Sequence, residues 1–176
     1  MHETPEDLVR LQEVLDRSMD GAGEHLHRII TPERRLTAEQ LSEQLTGMTL
    51  LVLATATADG RPIAGPVDGI FHRGRFHFGS APDSVRFRHI RRGSAVSATH
   101  LPGEHLNVTV HGRAEEVDAS RTGDTAFRQA LLDVYVPRYG EDWEQFLDSG
   151  PTYARIEPDR MFTFSMPEEA DQAEEG

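Results

Sequence analysis

The sequence predicts a mainly β protein with added helices, an α+β fold in which antiparallel strands close into a small barrel. Three observations carry this expectation. Strand-like segments follow one another through tight turns, one short helix interrupts them, and further helical segments lie at the start and before the last strand. A doubly wound parallel sheet would need a helix after nearly every strand, and that alternation is missing.

The chain opens with helical patterning. In "TPEDLVRLQEVLDR", Thr4 is placed as an N-cap, Pro5 as the first helical residue, and Leu8, Leu11 and Leu15 share a stripe. A second helix start is sharper. "LTAEQL" sets Thr37 as N-cap with Gln40 three residues on, Leu36 and Leu41 as a hydrophobic staple, and Gly47 as the stop.

The period then becomes that of strands. "MTLLVLATAT" is apolar on both faces, as a fully covered central strand would be. Asp59-Gly60 turns the chain into "PIAGPVDGIF", whose Gly and Pro content predicts a bent, bulged or edge strand. Arg73-Gly74 makes a second tight turn into "RFHFGS". After a short helix from about Asp83 or Ser84 to Gly93, "SAVSATHL" resumes the sheet and "PGEH" turns it. In "LNVTVHGRAEEV", Leu106, Val108, Val110 and Ala114 face one way, and Asn107, Thr109, His111 and Arg113 the other. A helix carrying Phe127, Ala130, Leu131 and Val134, a shorter one carrying Trp143, Phe146 and Leu147, and a last strand "RMFTFSM" complete the chain. The expected organisation is an N-terminal helical segment over residues 1–47 packing on a barrel over 48–166, with a disordered acidic tail over 167–176.

Composition narrows the function. With 30 acidic residues against 18 basic ones and a net charge of −12, a broad basic surface for nucleic acid or anionic membrane is not expected. The chain has no cysteine, which excludes disulfides, thiolate metal sites and thiol nucleophiles; it also has no lysine, which excludes a lysine Schiff base. "MHETPEDLVR" lacks an apolar signal core, and no apolar run approaches the ~20 residues of a spanning helix, so a cytoplasmic protein is expected.

Against that acidic background, "DSVRFRHIRR" gathers Arg86, Arg88, Arg91 and Arg92. Such clusters are commonly solvated faces paired with carboxylates. Three details favour a small anionic ligand instead. The helix follows a strand end, "FGSAPDS", where backbone N–H groups and the hydroxyls of Ser80 and Ser84 converge, and helix N-termini attract anions. Arg86 sits in the first turn, where a cation opposes the helix dipole. Its guanidinium fork suits phosphate. Elsewhere the histidines are scattered, no dinucleotide glycine pattern follows a strand, no serine stands in a nucleophile elbow, and no metal site is expected. A phosphate site without a protein nucleophile or acid–base pair fits a protein whose bound cofactor carries the chemistry.

The order of residues 48–117 resembles the pyridoxamine 5′-phosphate oxidase-like superfamily of flavin-binding split β-barrels. The resemblance rests on "LLVLATATADGRPIAGPV", then "GRFHFGSAPDSVRFRHIRRGSAVSATH", then "VTVHGRAEEVD". It implies a six-stranded antiparallel split barrel, a homodimer, and FMN, or alternatively the 8-hydroxy-5-deazaflavin coenzyme, in a groove at the dimer interface. Carried over by position, Arg86 matches the phosphate-binding basic residue and Arg88 a second basic position. Ser80 and Ser84 match hydroxyls flanking the phosphate. Pro66 and Val67 match the strand along the ring system, and Gly79 the approach beneath it. His89 departs from the usual Asn, Asp68-Gly69 replaces bulky aromatics, and the arginine-rich ending of vitamin B6-forming members is missing. The implied activity is flavin- or deazaflavin-dependent oxidoreduction of a small planar or unsaturated substrate. The alternative is a carrier that holds a flavin- or haem-type group without turnover.

Overall fold

The structure, a computed structural model, describes residues 3–166. The acidic tail expected over 167–176 lies outside the described residues. Helix α1 (Pro5–Asp20) begins at Thr4, whose hydroxyl accepts from the Asp7 amide while the Asp7 side chain accepts from the Thr4 amide. This capping box satisfies two amides that a bare helix end would leave open. A short α2 (Glu24–Ile29) and a 3-10 turn (Pro32–Arg34) lead to α3 (Ala38–Gln44), which carries the same box between Thr37 and Gln40. Helix α3 ends at Leu45, and Gly47 follows with φ 76°.

Six strands then form a closed antiparallel barrel: β1 (Met48–Ala56), β2 (Pro62–His72), β3 (Arg75–Ser80), β4 (Ala95–Gly103), β5 (Leu106–Val117) and β6 (Thr152–Ser165). Their order around the barrel is β1-β2-β3-β6-β5-β4. Helix α4 (Val85–Arg91) crosses between β3 and β4, and α5 (Thr125–Tyr139) with α6 (Trp143–Asp148) lies between β5 and β6. Among the described residues no helix is long and apolar enough to cross a membrane.

Alternation fills the barrel. Leu51 and Leu53 from β1, Phe76 and Phe78 from β3, Val108 and Val110 from β5, and Ile156 and Met161 from β6 are buried together. Leu11 and Leu15 of α1 and Leu36, Ala38 and Leu41 around α3 belong to the same core. Hydrogen bonds fix this attachment: Ser18 Oγ accepts from the Met161 amide at 2.8 Å, and Thr163 Oγ1 accepts from the Leu36 amide at 3.0 Å.

Two expectations are corrected. The first strand is not covered on both sides within the chain: Thr49, Leu51, Leu53 and Thr55 point inward, while Leu50 and Val52 are 63% and 56% exposed. The last strand starts at Thr152, well before "RMFTFSM". Its "EPDR" segment passes through a β-bulge, where His111 pairs with Arg160 and Gly112 with Pro158. Proline is tolerated there because the ladder is already interrupted.

The strand rich in Gly and Pro is indeed partly an edge. β2 pairs with β1 from Pro62 to Ile70, but with β3 only from Gly69 to His72. A Cβ at Gly69 would lie 2.0 Å from the His77 carbonyl oxygen, so the close approach that starts the β2–β3 ladder requires glycine. Before Gly69 the two strands part, and the barrel wall is split.

Candidate functional site

Arg86 spans that split. Its Nη2 donates to the Pro66 carbonyl at 3.3 Å, on the unpaired side of β2, and its Nη1 donates to Ser80 Oγ at 3.5 Å, where β3 ends. Helix α4 presents the arginine from a fixed base. Ser84 Oγ caps it by accepting from the Phe87 amide, Phe87 is fully buried near Phe78, and the buried His89 meets Thr55 Oγ1 at 2.8 Å through Nδ1. The histidine that departs from the family pattern thus ties the helix to β1.

The four arginines separate by partner. Arg91 forms a two-pronged ion pair with Glu116, at 2.7 and 3.1 Å. Arg92 donates to the Ala56 carbonyl at 3.1 Å, and the exposed Arg88 to the Asp83 carbonyl at 3.0 Å. Arg86 alone of the four is half-buried, and among the described residues no carboxylate pairs with it. Desolvation pulls its pKa below the ordinary guanidinium value, which an adjacent anion would reverse. A seven-residue helix adds little dipole; the guanidinium supplies the attraction.

The other expected residues are placed as follows. Ser80 and Pro66 meet Arg86 directly, and Gly65 lies beside it, with a virtual Cβ 3.5 Å from Nη2. Ser84 spends its hydroxyl on the helix cap. Val67 is buried in the core. Gly79 faces the Tyr153 ring across the β3–β6 ladder, with a virtual Cβ only 2.7 Å from Cε1. Arg88 is turned to the loop and does not join Arg86.

Beside Arg86 the helical insertion builds a cleft of about 710 Å³ to which no motif in the sequence pointed. Gly79, Ser80 and Asp68 form its strand side, and Tyr135, Tyr139, Trp143 and Phe146 its helical side. Trp143 stacks on Tyr135 with ring centres 4.6 Å apart, and Tyr135 on Tyr139 at 6.0 Å. The Tyr135 hydroxyl donates to Asp68 Oδ2 at 2.7 Å. Burial and that carboxylate both push the Tyr135 pKa up, so the phenol stays protonated. Arg128, 8% exposed, holds α6 to α5 through Glu144 at 2.9 Å and Asp148 at 2.8 Å. The aromatic content of the insertion was a visible signal; Phe146, on the short helix expected there, is 53% exposed.

Residues 37–166 match the family model described as pyridoxamine 5′-phosphate oxidase. No curated protein matches the sequence. Among solved structures, a conserved hypothetical protein from Mycobacterium tuberculosis is similar at 17% identity and a TM-score of 0.63, over 76% of this chain and 88% of that one. The haem storage protein HutZ from Vibrio cholerae is similar at 17% identity and 0.55, over 77% and 94%. An FAD-binding protein from Mesorhizobium loti is similar at 21% identity and 0.54, over 74% and 93%. These likenesses are of fold.

Proposed function

Since the chain belongs to the pyridoxamine 5′-phosphate oxidase family, we propose that it binds a flavin-type cofactor through Arg86 and serves as an oxidoreductase for a small planar or unsaturated substrate. One observation carries the reading: Arg86 is a half-buried cation with no carboxylate partner among the described residues, held at the split of the barrel beside Ser80. A phosphate would supply the missing counter-charge, and the residues present fit one. Arg86 offers the fork and Ser80 a hydroxyl, while Ser84 and Arg88 lie on the same loop and helix for a secondary role.

FMN is the cofactor we favour, with the 8-hydroxy-5-deazaflavin coenzyme as the alternative. When bound, either group supplies hydride or two-electron chemistry. The chain's own part is placement. Arg86 fixes the anionic end, the edge of β2 at Pro66 and Val67 runs alongside the ring, and the aromatic cleft keeps water from the reacting face. The exposed Leu50, Val52 and Leu101 support a homodimer, because apolar side chains on one outer face of a barrel are costly to leave in water. A cytoplasmic location is part of the same proposal.

A carrier reading uses the same site without turnover. It draws on the fold shared with HutZ, itself a haem storage protein. Reduced cofactor on the protein, mixed with a panel of planar acceptors, distinguishes the two. Oxidation faster than that of free cofactor supports the oxidoreductase; cofactor retained with no acceptor-dependent oxidation supports the carrier.

A further inference from the structure

The cleft between the barrel and α5–α6 has a chemistry of its own. Its volume of about 710 Å³ lies within the range of roughly 300–1,000 Å³ over which small molecules are bound. Its walls are the rings of Tyr135, Tyr139, Trp143, Phe146 and Tyr153. Tyr139 and Phe146, both more than half exposed, stand at its rim. Among the described residues that line it, Asp68 is the single charged side chain.

The Asp68 carboxylate is held in place. Tyr135 donates to Oδ2 at 2.7 Å, and no hydrogen bond from the described residues reaches Oδ1. Tyr135 is itself fixed by stacking on Trp143, with the planes 5° apart. An oriented acceptor with negative charge, set among aromatic faces, selects for ligand charge. Flat cations are attracted both by the ring faces and by the carboxylate, while anions meet the repulsion of Asp68. The chain's net charge of −12 adds to the same bias.

We propose that this cleft binds a planar aromatic cation whose charge is spread over N–H donors, an arylamidinium or aminoheteroarene type of compound, with Asp68 receiving those donors. Ser80 lines the cleft and also accepts from Arg86, so the cation site and the anion site adjoin. That this ring is the substrate rests on the cofactor reading above; its binding does not. Asp68 is then the residue that sets specificity, and it selects a substrate of opposite charge to the phosphate held by Arg86.

Trp143 is the only tryptophan of the chain and lines the cleft, so its fluorescence reports occupancy directly. The test titrates the full chain with benzamidinium, benzamide and benzoate, three probes of one shape and different charge, and separately with FMN followed by flavin emission. Benzamidinium is expected to quench Trp143 saturably and to bind about tenfold or more tighter than benzamide, with benzoate weakest. Asp68→Asn, which keeps an acceptor for Tyr135, is expected to bring benzamidinium to the level of benzamide. Asp68→Glu should restore part of the preference, and FMN affinity should be unchanged in Asp68→Asn.

Equal binding of the three probes would overturn the assignment, as would a preference for benzamidinium that survives Asp68→Asn. If Asp68→Asn weakens FMN as much as benzamidinium, the cleft holds the cofactor's own ring and the proposal fails. If the unmodified chain ignores FMN yet binds benzamidinium through Asp68, the cofactor reading fails and the cleft assignment stands.

Discussion

The ring of Tyr153 fills the space where a side chain at residue 79 would stand, and the two residues are paired across the β3–β6 ladder. Gly79 is therefore required for packing whatever it does for a ligand. Gly79→Ala must move an aromatic ring that is almost fully buried and that forms one wall of the cleft. The expected cost is about 1–3 kcal/mol of stability from overpacking, seen as a lower urea midpoint. A variant as stable as the parent would mean that Tyr153 moves aside freely.

Arg128 is the clamp on the helical insertion. It is buried, and it also donates to the Ala119 carbonyl at 3.2 Å. Arg128→Met should loosen α6 and shift Trp143 emission to longer wavelength. Because Glu144 and Asp148 are 42% and 33% exposed and water screens them in part, the stability loss should be about 1–3 kcal/mol, at the low end for breaking an ion pair. An unshifted emission maximum would show that α6 is held by its apolar contacts alone.

His77 predicts acid sensitivity. It stacks on Phe127 at 4.5 Å under α5. Burial, and then the nearby His72, Arg155 and Arg75 charges, push its pKa from 6.5 down to about 3, with the Arg75 carbonyl opposing. The unfolded chain takes up this proton as pH falls through 6.5, whereas the folded chain resists it until about 3. Stability is thus complete above that window and falls as pH drops through it, by at most about 1.4 kcal/mol per pH unit from this group. Urea midpoints measured between about pH 7.5 and 4.5 should fall less steeply in His77→Phe than in the parent. Parallel slopes would contradict the assignment.

The outer face of β1 predicts the oligomeric state. Leu50 and Val52 lie on it, with Leu101 on β4 next to them in the barrel. On the proposed homodimer, Val52→Arg should yield a folded monomer in sedimentation, because a buried unpaired charge opposes association. A parent chain that already sediments as a monomer would remove this part of the proposal.

Local signals were legible in the sequence, and long-range ones were not. The capping boxes at Thr4 and Thr37 depend on residues three apart, and the tight turn at Arg73-Gly74 needs only positive φ, which both residues adopt. Arg86 was visible because its place in the helix is awkward for a cation and because the segment resembles a family. The cleft was hidden for a different reason. Asp68 and Tyr135 are 67 residues apart and meet only once the barrel is closed and α5 is laid beside β2. No periodicity along the chain records that meeting. The bulge at Gly112 likewise disguised the first half of β6, because "EPDR" carries turn residues that a bulge accepts equally well. The outer face of β1 misled in the opposite sense: its apolar residues read as buried, and within one chain they are not.

Titration of the unmodified chain and of Arg86→Ala with FMN and with the deazaflavin coenzyme, followed by ring fluorescence, tests the central claim most directly. The account predicts that one of the two binds the parent chain saturably. Removing the guanidinium should cost about 1.5–3 kcal/mol, or roughly 10- to 150-fold in affinity, with the melting temperature preserved. Unchanged affinity in Arg86→Ala, or binding of neither cofactor to the parent chain, would contradict it.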